Sequence, residues 1–281
     1  MNYIIFPHQL YHDISHLKDI DNIYLVEEPR YFTDFKFHKM KLAYHRASMK
    51  KYYDYLKKRN INVHYIEYDM VDTIYKKLKQ VFVVKPDDHK LEKKLKKIFK
   101  KKLVILPNKT FLIKPEEMDE IKNLIYKNGK YHHDEFYKYQ RKKLDVLMKN
   151  DKPVGGKWSY DNMNRVPLPK KIEIPKIPKV KKSVYIMEAI KYVDKHFPNN
   201  YPMIPIEIIY PIDRKSTMKW FDKFLEERLV LFGKYEDAVK DSEPFVYHSI
   251  MSPMMNIGLI TDMEVVEISY AFYVKHKNRT S

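Results

Sequence analysis

The sequence contains no cysteine and only five glycines, and each scarcity excludes a class of functional site. Without cysteine the chain can hold no disulfide, no thiolate zinc site, no cysteine-ligated iron–sulfur cluster and no cysteine nucleophile. The few glycines form neither a GxGxxG fingerprint nor a Walker A loop, so the usual signatures of dinucleotide and nucleotide phosphate binding are missing. No apolar run approaches the roughly 18 residues that a membrane-spanning helix requires.

Positive charge is present in excess, with a formal net charge of +17 carried mostly by lysine. A charge of this size suits a polyanionic partner such as nucleic acid. The alternative is that Lys, Asn, Ile and Tyr are common because their codons are AT-rich, and that the lysines only cover a solvated surface. The first residues form a short apolar run with no basic segment before it, which indicates a β-strand and not a signal peptide. We therefore expect an intracellular, soluble protein without a membrane partner, in a compartment that the sequence leaves open.

Short apolar runs alternate with helical patterns through the first 110 residues. The apolar runs lie at residues 2–6, 22–27, 61–66, 81–84 and 103–106. Helical patterns lie between them at residues 34–58, at 71–79 and in the lysine-rich stretch that precedes the last run. This alternation predicts an α/β fold with a Rossmann-like parallel sheet covered by helices on both faces. Further helical patterns at 115–128 and 132–149 complete a predicted first domain, residues 1–150.

A change of composition marks the end of that domain. Residues 151–182 are rich in proline and lysine and show no long periodic segment, which predicts an extended linker with polyproline II character. Residues 183–281 form the next predicted domain. Their helical patterns lie at 183–196, 216–231 and 262–275, which predicts the start of an all-α domain.

Three segments concentrate residue types that a fold alone does not demand: residues 41–50, 155–165 and 232–260. In the second, Gly155 and Gly156 mark a tight turn or a close approach, and Trp158 follows them. Its aromatic and amide side chains suit contact with a planar ligand, and the alternative is a structured turn whose tryptophan covers the core. In the third, Pro253 favours a helix start with Ser252 as its N-cap, which together with Ser249 would form an anion site. The alternative is a capped helix without a ligand.

The sequence contains two histidine pairs, and one of them has a spacing that could serve a metal site. His8 and His12 are four residues apart, but the segment between them is typical of a loop and no acidic third ligand is evident. His132 and His133 precede acidic residues and are typical of polar residues at a helix start. The sequence therefore predicts no metal site, and it identifies no catalytic residue.

Four motifs together resemble the prokaryotic, deoxyribodipyrimidine photolyase-related branch of the cryptochrome/photolyase family, which includes iron–sulfur bacterial cryptochromes and (6-4) photolyases. They occur in the order found in that branch and are Phe6-Pro7-His8-Gln9-Leu10, His45-Arg46-Ala47-Ser48-Met49, Gly155-Gly156-Lys157-Trp158 and Phe232-Gly233-Lys234-Tyr235-Glu236-Asp237-Ala238. The segment from His248 to Pro253 is similar to the Thr-Ser-x-Leu-Ser-Pro turn of the wider family. The resemblance covers the N-terminal portion of such proteins.

The resemblance implies a flavoprotein that repairs pyrimidine photolesions in DNA with light, using FAD and DNA phosphate contacts. It assigns a partial FAD site to Tyr235, His248, Ser249, Ile250, Met251, Ser252 and Asn256. It also implies a ribityl-lumazine antenna chromophore near the first loop (Pro7, His8, Gln9) and the strand ends at Glu27 and Glu28. Relatives continue with a helical bundle that carries an iron–sulfur cluster, so this chain resembles a split or truncated lyase that needs a second chain with the C-terminal helical half. The alternative is a non-enzymatic remnant, or a module that binds nucleic acid or senses light.

Overall fold

A five-stranded parallel sheet forms the centre of the N-terminal part of the chain. The computed structural model describes residues 1–17 and 20–276. The strands are β1 Asn2–Ile5, β2 Asn22–Val26, β3 Val63–Ile66, β4 Val81–Val84 and β5 Leu103–Leu106. They lie in the order β3-β2-β1-β4-β5, and every neighbouring pair is parallel. Strand β1 is central, with Tyr3 opposite Ile23 on one side and Phe82 on the other. The predicted α/β fold with a Rossmann-like sheet is confirmed.

Four helices connect these strands. They are α1 Pro29–Phe32, α2 Lys39–Lys57, α3 Val71–Lys77 and α4 His89–Phe99. Helix α4 starts where the Asp88 carboxylate accepts hydrogen bonds from the amides of Lys90 and Leu91, a side-chain N-cap. Leu91, Leu95 and Phe99 recur at spacings of four, and all three are buried in the core beside the sheet. Periodic apolar residues thus explain why this lysine-rich segment is a helix.

Helix α2 begins five residues later than the pattern at 34–58 predicted. The chain first forms the short helix α1, with Pro29 at its start, and then a turn. The His38 ring nitrogen accepts a hydrogen bond from the Met40 amide at 3.1 Å and so caps the later helix. The spacing of apolar residues predicts the interior of this helix correctly, but it does not locate the first helical residue.

The remaining elements follow the sheet. They are α5 Met118–Ile125, β6 Tyr126–Lys127, β7 Lys130–Tyr131, α6 His133–Leu144, β8 Met148–Lys149, β9 Lys152–Pro153, α7 Val184–His196, α8 Arg214–Glu227, α9 Leu229–Phe232, α10 Ser252–Asn256 and α11 Asp262–His276. The helices predicted at 115–128 and 132–149 are shorter than expected because two hairpins, β6-β7 and β8-β9, terminate them. Asn128 and Gly129 both have positive φ in the first hairpin, which is the geometry that a tight hairpin turn requires.

The described residues fall into two compact units. One contains Met1–Thr110, Pro178–Trp220 and Met251–Thr261, and the other contains Phe111–Ile177, Phe221–Ile250 and the segment from Asp262 onward. Within the second unit, Leu168, Ile172 and Ile174 of the predicted linker pack against a buried cluster around Tyr235. Residues 164–182 form no helix or strand, so this stretch is an irregular segment held by its apolar side chains. The domain boundaries at 150 and 182 stay a prediction.

Candidate functional site

The carboxyl edge of the sheet is the place where an open parallel sheet binds ligands, next to the point where strand order reverses. Here that edge is formed by the loops after β1, β2 and β4. Glu27 and Glu28, directly after β2, are both fully buried. The Glu28 carboxylate accepts hydrogen bonds from the Tyr75 hydroxyl and the Lys94 ammonium, each at 2.6 Å. A buried carboxylate with two strong donors is stable as part of the fold, without any ligand.

Glu27 belongs to a larger network centred on Arg46 of helix α2. The Arg46 guanidinium donates to Glu27 at 2.8 Å, to Glu67 at 2.9 Å and to Glu188 of helix α7 at 2.6 Å. The central carbon of the Arg46 guanidinium also lies 3.3 Å from the centre of the Tyr192 ring. Burial raises the pKa of Glu27, and the charge of Arg46 opposes that rise. The network joins α2 to α7, so Arg46 of the His-Arg-Ala-Ser-Met motif has a structural role.

These contacts bear on the expected antenna site. Of the residues expected there, Glu27 and Glu28 are engaged by the protein's own side chains, which favours their interpretation as fold residues. Gln9 also has a partner within the protein, because its side-chain amide donates a hydrogen bond to the Val84 carbonyl at 3.0 Å. His8 differs from them: its Nε2 accepts from the Asp87 amide at 3.4 Å, while its Nδ1 has no partner among the described residues.

A second buried histidine lies near His8. The rings of His8 and Tyr31 are 5.0 Å apart, and those of Tyr31 and His45 are 6.3 Å apart. Within the described residues, His45 Nδ1 and the Ser48 hydroxyl, one turn further along α2, also lack hydrogen-bond partners. Burial lowers the pKa of His8 to about 4 and that of His45 to about 3, so both rings are neutral at pH 7. Three buried polar atoms without partners at the ligand-binding edge of this fold are unusual for a core.

A cavity of about 550 Å³ opens in the same unit as the two buried histidines. It is lined mainly by apolar and aromatic side chains, with His12 and several cations among them: Leu10, His12, Lys51, Tyr52, Tyr55, Ile212, Asp213, Arg214, Lys215, Ser216, Met218 and Leu259. The Tyr52 and Tyr55 rings stack at 5.5 Å, and the Arg59 guanidinium lies 3.7 Å from the centre of the Tyr55 ring. The cavity has the size and apolar lining of a small-molecule site.

His12 faces Tyr55 and not His8. The Tyr55 hydroxyl donates to the His12 carbonyl at 3.2 Å, and the two rings are 6.1 Å apart. Across residues 1–17 and 20–276 no group of three or more His, Cys, Asp or Glu side chains could hold a metal ion.

The Gly155-Gly156 motif forms a turn in the second unit. Both glycines have positive φ, at 82° and 76°. The Tyr160 hydroxyl donates to the Gly155 carbonyl at 3.1 Å, and a Cβ on Gly155 would collide with that hydroxyl. The Trp158 carbonyl accepts from the Arg141 guanidinium at 3.2 Å. These contacts favour a structured turn over direct ligand contact for this motif.

Tyr235 and the segment before Met251 lie in the second unit. Tyr235 is buried, and its ring stacks on Tyr247 at 5.6 Å. His248 is exposed, with its ring edge 5.8 Å from Phe232. Val246 and Ile250, on either side of this segment, have φ values of 41° and 57°. Left-handed backbone at a β-branched residue costs about 1–3 kcal/mol, and such strain concentrates at functional turns.

The prediction that Ser252 caps a helix is wrong. Helix α10 includes Ser252 as its first residue, Met251 occupies the cap position, and no side chain makes a cap hydrogen bond. Met251 is buried, whereas Ser252 and Asn256 are exposed at i and i+4 of this short helix. The helix ends at Asn256.

Comparison with known proteins decides the family. The sequence profile of deoxyribodipyrimidine photo-lyase-related proteins matches residues 3–204. The chain belongs to this family. It is similar to "Uncharacterized protein R852" of Acanthamoeba polyphaga mimivirus, with 33% identity over an alignment of 191 positions that covers 61% of this chain and 96% of that protein. It is also similar to a "(6-4) photolyase" of Agrobacterium fabrum strain C58, with 29% identity over 138 residues, or 49% of this chain.

The match with the (6-4) photolyase spans only 27% of that protein's length. The family profile includes the sheet, the Arg46 network and the Gly155-Gly156 turn, and it ends before Tyr235. The flavin-contacting residues predicted from the sequence therefore lie outside the matched range. Among the described residues no helix has the length and apolar character needed to cross a membrane.

Proposed function

We propose that this member of the photolyase-related family is part of a light-dependent DNA-repair flavoprotein that acts on pyrimidine photolesions. Family membership supports a photolyase-type activity, and the (6-4) photolyase of Agrobacterium fabrum supports a DNA photolesion as the substrate. In this proposal FAD is the cofactor, which on photoexcitation supplies the electron for repair. The chain's own part is to bind and orient that cofactor and to contact DNA phosphates.

One observation carries the flavin assignment. Val246 lies just before the segment that resembles the flavin-binding turn and Ile250 lies within it, and both are β-branched residues in left-handed backbone. No glycine relieves either position, so the surrounding structure must hold this conformation against its intrinsic cost. Strain of this kind is typical of backbone that is shaped for binding, and it presents the exposed His248 side chain between the two residues.

The choice of residues rests on the resemblance to the family's flavin-binding turn, and each exposed polar group has the chemistry to bind the hydrophilic part of a flavin cofactor. Ser252 and Asn256 offer a hydroxyl and an amide on α10, and His248 offers an imidazole. Such groups donate to phosphate and ribityl oxygens. We assign hydrogen bonds to His248, Ser249, Ser252 and Asn256, and backbone or apolar contacts to Ile250 and Met251. Tyr235 would support the turn through its buried ring, which stacks on the ring of Tyr247.

We further propose that additional helices complete the flavin pocket, either from a second chain or from a further segment. The support is that the aligned part covers 27% of the (6-4) photolyase. A few polar contacts do not offset the entropy lost when a large ligand binds. The purified chain alone should therefore bind FAD weakly, and co-expression with a complementary helical chain should yield a yellow complex. A stoichiometric yellow protein from this chain alone would contradict the need for completion.

For the antenna we propose the His8 and His45 region as the binding site of a ribityl-lumazine. Its support is the set of buried polar atoms without partners on His8, His45 and Ser48, which suits the polar edge of a planar heterocycle. Glu27 and Glu28 are left out of this proposal because their carboxylates already have partners. Chromophore binding by wild type but not by His45→Leu, measured by fluorescence, would support it.

The flavin assignment can be tested with a serine series. Ser249→Ala and Ser252→Ala should each weaken FAD binding by about 10- to 150-fold in the completed complex, the range for a hydrogen bond to a charged group. Because Ser252 makes no cap hydrogen bond, its replacement should change the free energy of unfolding by less than about 0.5 kcal/mol. Ser242→Ala, at an exposed position in the same stretch, is the matched control. Equal FAD affinity for all three variants would show that the flavin assignment is wrong.

A non-enzymatic nucleic-acid-binding module is the second candidate, favoured by the net charge of +17. The two functions separate in one experiment. Light-dependent repair of an ultraviolet-damaged oligonucleotide by the completed complex supports the photolyase proposal. DNA binding without any flavin-dependent repair supports the module.

A further inference from the structure

The densest positive charge in the sheet-containing unit lies on helix α4 and the turn that follows it. Eight of the fourteen residues from 89 to 102 are lysine, and only Glu92 is acidic. Two of these lysines have acidic partners, since Lys94 contacts Glu28 and Lys96 contacts Glu92. The other six are exposed. Their charge is not neutralised by any ion pair within the described part of the chain.

Three of the six form a straight row along the helix. Lys90, Lys93 and Lys97 are spaced by three and four residues, so they lie on one face at axial intervals of about 4.5 and 6 Å. We call these three residues the lysine stripe. The exposed lysines at positions 100–102 extend it beyond the end of the helix. A row of ammonium groups with this spacing can reach successive anionic groups of a linear polyanion.

The opposite face of α4 is committed to the core. Leu91, Leu95 and Phe99 pack beside the sheet, which fixes the direction in which the stripe points. The helix is also capped by Asp88, and Asp88 is itself held by Arg30 at 2.9 Å. The stripe is therefore carried on a rigid helix, so its backbone needs no ordering when it binds, which favours affinity.

We propose that the lysine stripe is a docking surface for the phosphate backbone of duplex DNA, independent of sequence and of damage. It rests on charge and geometry alone and needs neither flavin nor a lesion. It adds to the proposed function a named surface through which the α/β part of the chain holds undamaged DNA. Lysine contacts phosphates as a point charge and reads bases poorly, which is why no sequence preference is expected.

A duplex fits the stripe better than an anionic membrane does. Helices that bind membrane surfaces insert an apolar face, and the apolar face of α4 is buried in the protein core. Ile98 is the one large apolar side chain of α4 that is markedly exposed, at 39%. DNA carries one charge per about 1.7 Å of axis, a density that a compact row of cations can exploit through counterion release.

The test compares two triple variants of the full chain. One replaces the stripe, Lys90→Gln, Lys93→Gln and Lys97→Gln. The control makes the same change at three exposed lysines elsewhere in the same unit, Lys58, Lys191 and Lys195, so both variants lose three charges from +17. Binding of a fluorescent undamaged duplex is measured by anisotropy in the dark, without FAD, over a salt series. Thermal melting confirms that both variants are folded.

Replacing the stripe should make the negative slope of log K against log salt shallower by about 3, and should lower the affinity at about 0.1 M salt by on the order of 100-fold. The control should lower the affinity by a few-fold at most. Equal losses for the two variants would overturn the proposal, because the charge would then act diffusely. Absence of duplex binding by wild type, or stripe-dependent binding of anionic phospholipid vesicles in preference to the duplex, would also overturn it. None of these outcomes depends on flavin, so a failed flavin assignment remains distinguishable.

Discussion

Removing Arg46 should destabilise the α/β part of the chain by about 3–4 kcal/mol at pH 7. Glu67 and Glu188 are 40% and 45% exposed, so water can solvate their carboxylates once Arg46 is gone, and they contribute little. Glu27 is fully buried and decides the cost, because an unpaired buried charge destabilises a protein by about 3–5 kcal/mol. After Arg46 is replaced, the Glu27 carboxylate still accepts hydrogen bonds from the hydroxyls of Tyr65 and Tyr192.

Protonation limits that cost. A carboxyl group with a pKa of about 4.3 becomes neutral at pH 7 for about 3.5 kcal/mol, and at pH 5 for about 1 kcal/mol. Once Arg46 no longer opposes the effect of burial, Glu27 should therefore be protonated in the folded variant. The stability difference between wild type and Arg46→Met should shrink as the pH falls from 7 to 5.

Urea denaturation followed by far-ultraviolet circular dichroism at the two pH values measures this difference. Arg59→Met, at an exposed arginine that stacks on Tyr55, is the control and should cost less than about 1 kcal/mol. Glu27→Gln in the Arg46→Met background should recover most of the loss at pH 7. A loss below about 1 kcal/mol, or one that does not change with pH, would refute the reasoning.

Two further predictions concern acid stability and a strained turn. Because burial lowers the pKa of His8 to about 4 and of His45 to about 3, their contribution to stability is complete above the unfolded value of about 6.5 and is lost as the pH falls below it. Between pH 7 and pH 5, the protonation of each histidine should lower the free energy of unfolding, measured by urea titration, by about 2 kcal/mol. His45→Gln should make the dependence of this free energy on pH shallower. An unchanged pH dependence in that variant would contradict the prediction. Gly155→Ala should destabilise by about 1–2 kcal/mol in thermal melts, because φ is 82° and a Cβ meets the Tyr160 hydroxyl. Gly233→Ala, at helical φ of −59° in open space, should be neutral or stabilising, and equal losses at the two glycines would count against the strain argument.

Several features of the site could not be predicted from local pattern. Glu27 and Tyr192 are 165 positions apart, and the hydroxyl of one reaches the carboxylate of the other only in the folded chain. The same holds for Arg46 and Glu188, which are 142 positions apart. The cap at Ser252 failed for a different reason. A capping residue needs non-helical backbone, and the helix begins one residue earlier than the Ser-Pro pattern indicates.

The β6-β7 hairpin was missed although its signal was present. Asn128-Gly129 between Tyr126 and Tyr131 is a strong two-residue hairpin pattern, because both central residues must take positive φ. The helical periodicity of the residues on either side obscures this pattern. The residues that specify this hairpin are adjacent in the sequence, so its formation does not depend on contacts with distant segments.

The α/β framework and the family follow from local features of the sequence. Short apolar strands, the buried face of α4 and the ordered motifs are local features, and burial of apolar side chains acts on them wherever they occur in the chain. The set of polar groups that meet inside the protein depends instead on the tertiary structure. It placed Arg46 among three carboxylates and left His8 and His45 neutral beside Tyr31. The physical reason is that hydrogen bonds and charges act over a few ångströms, so their partners are set by the packing of distant segments.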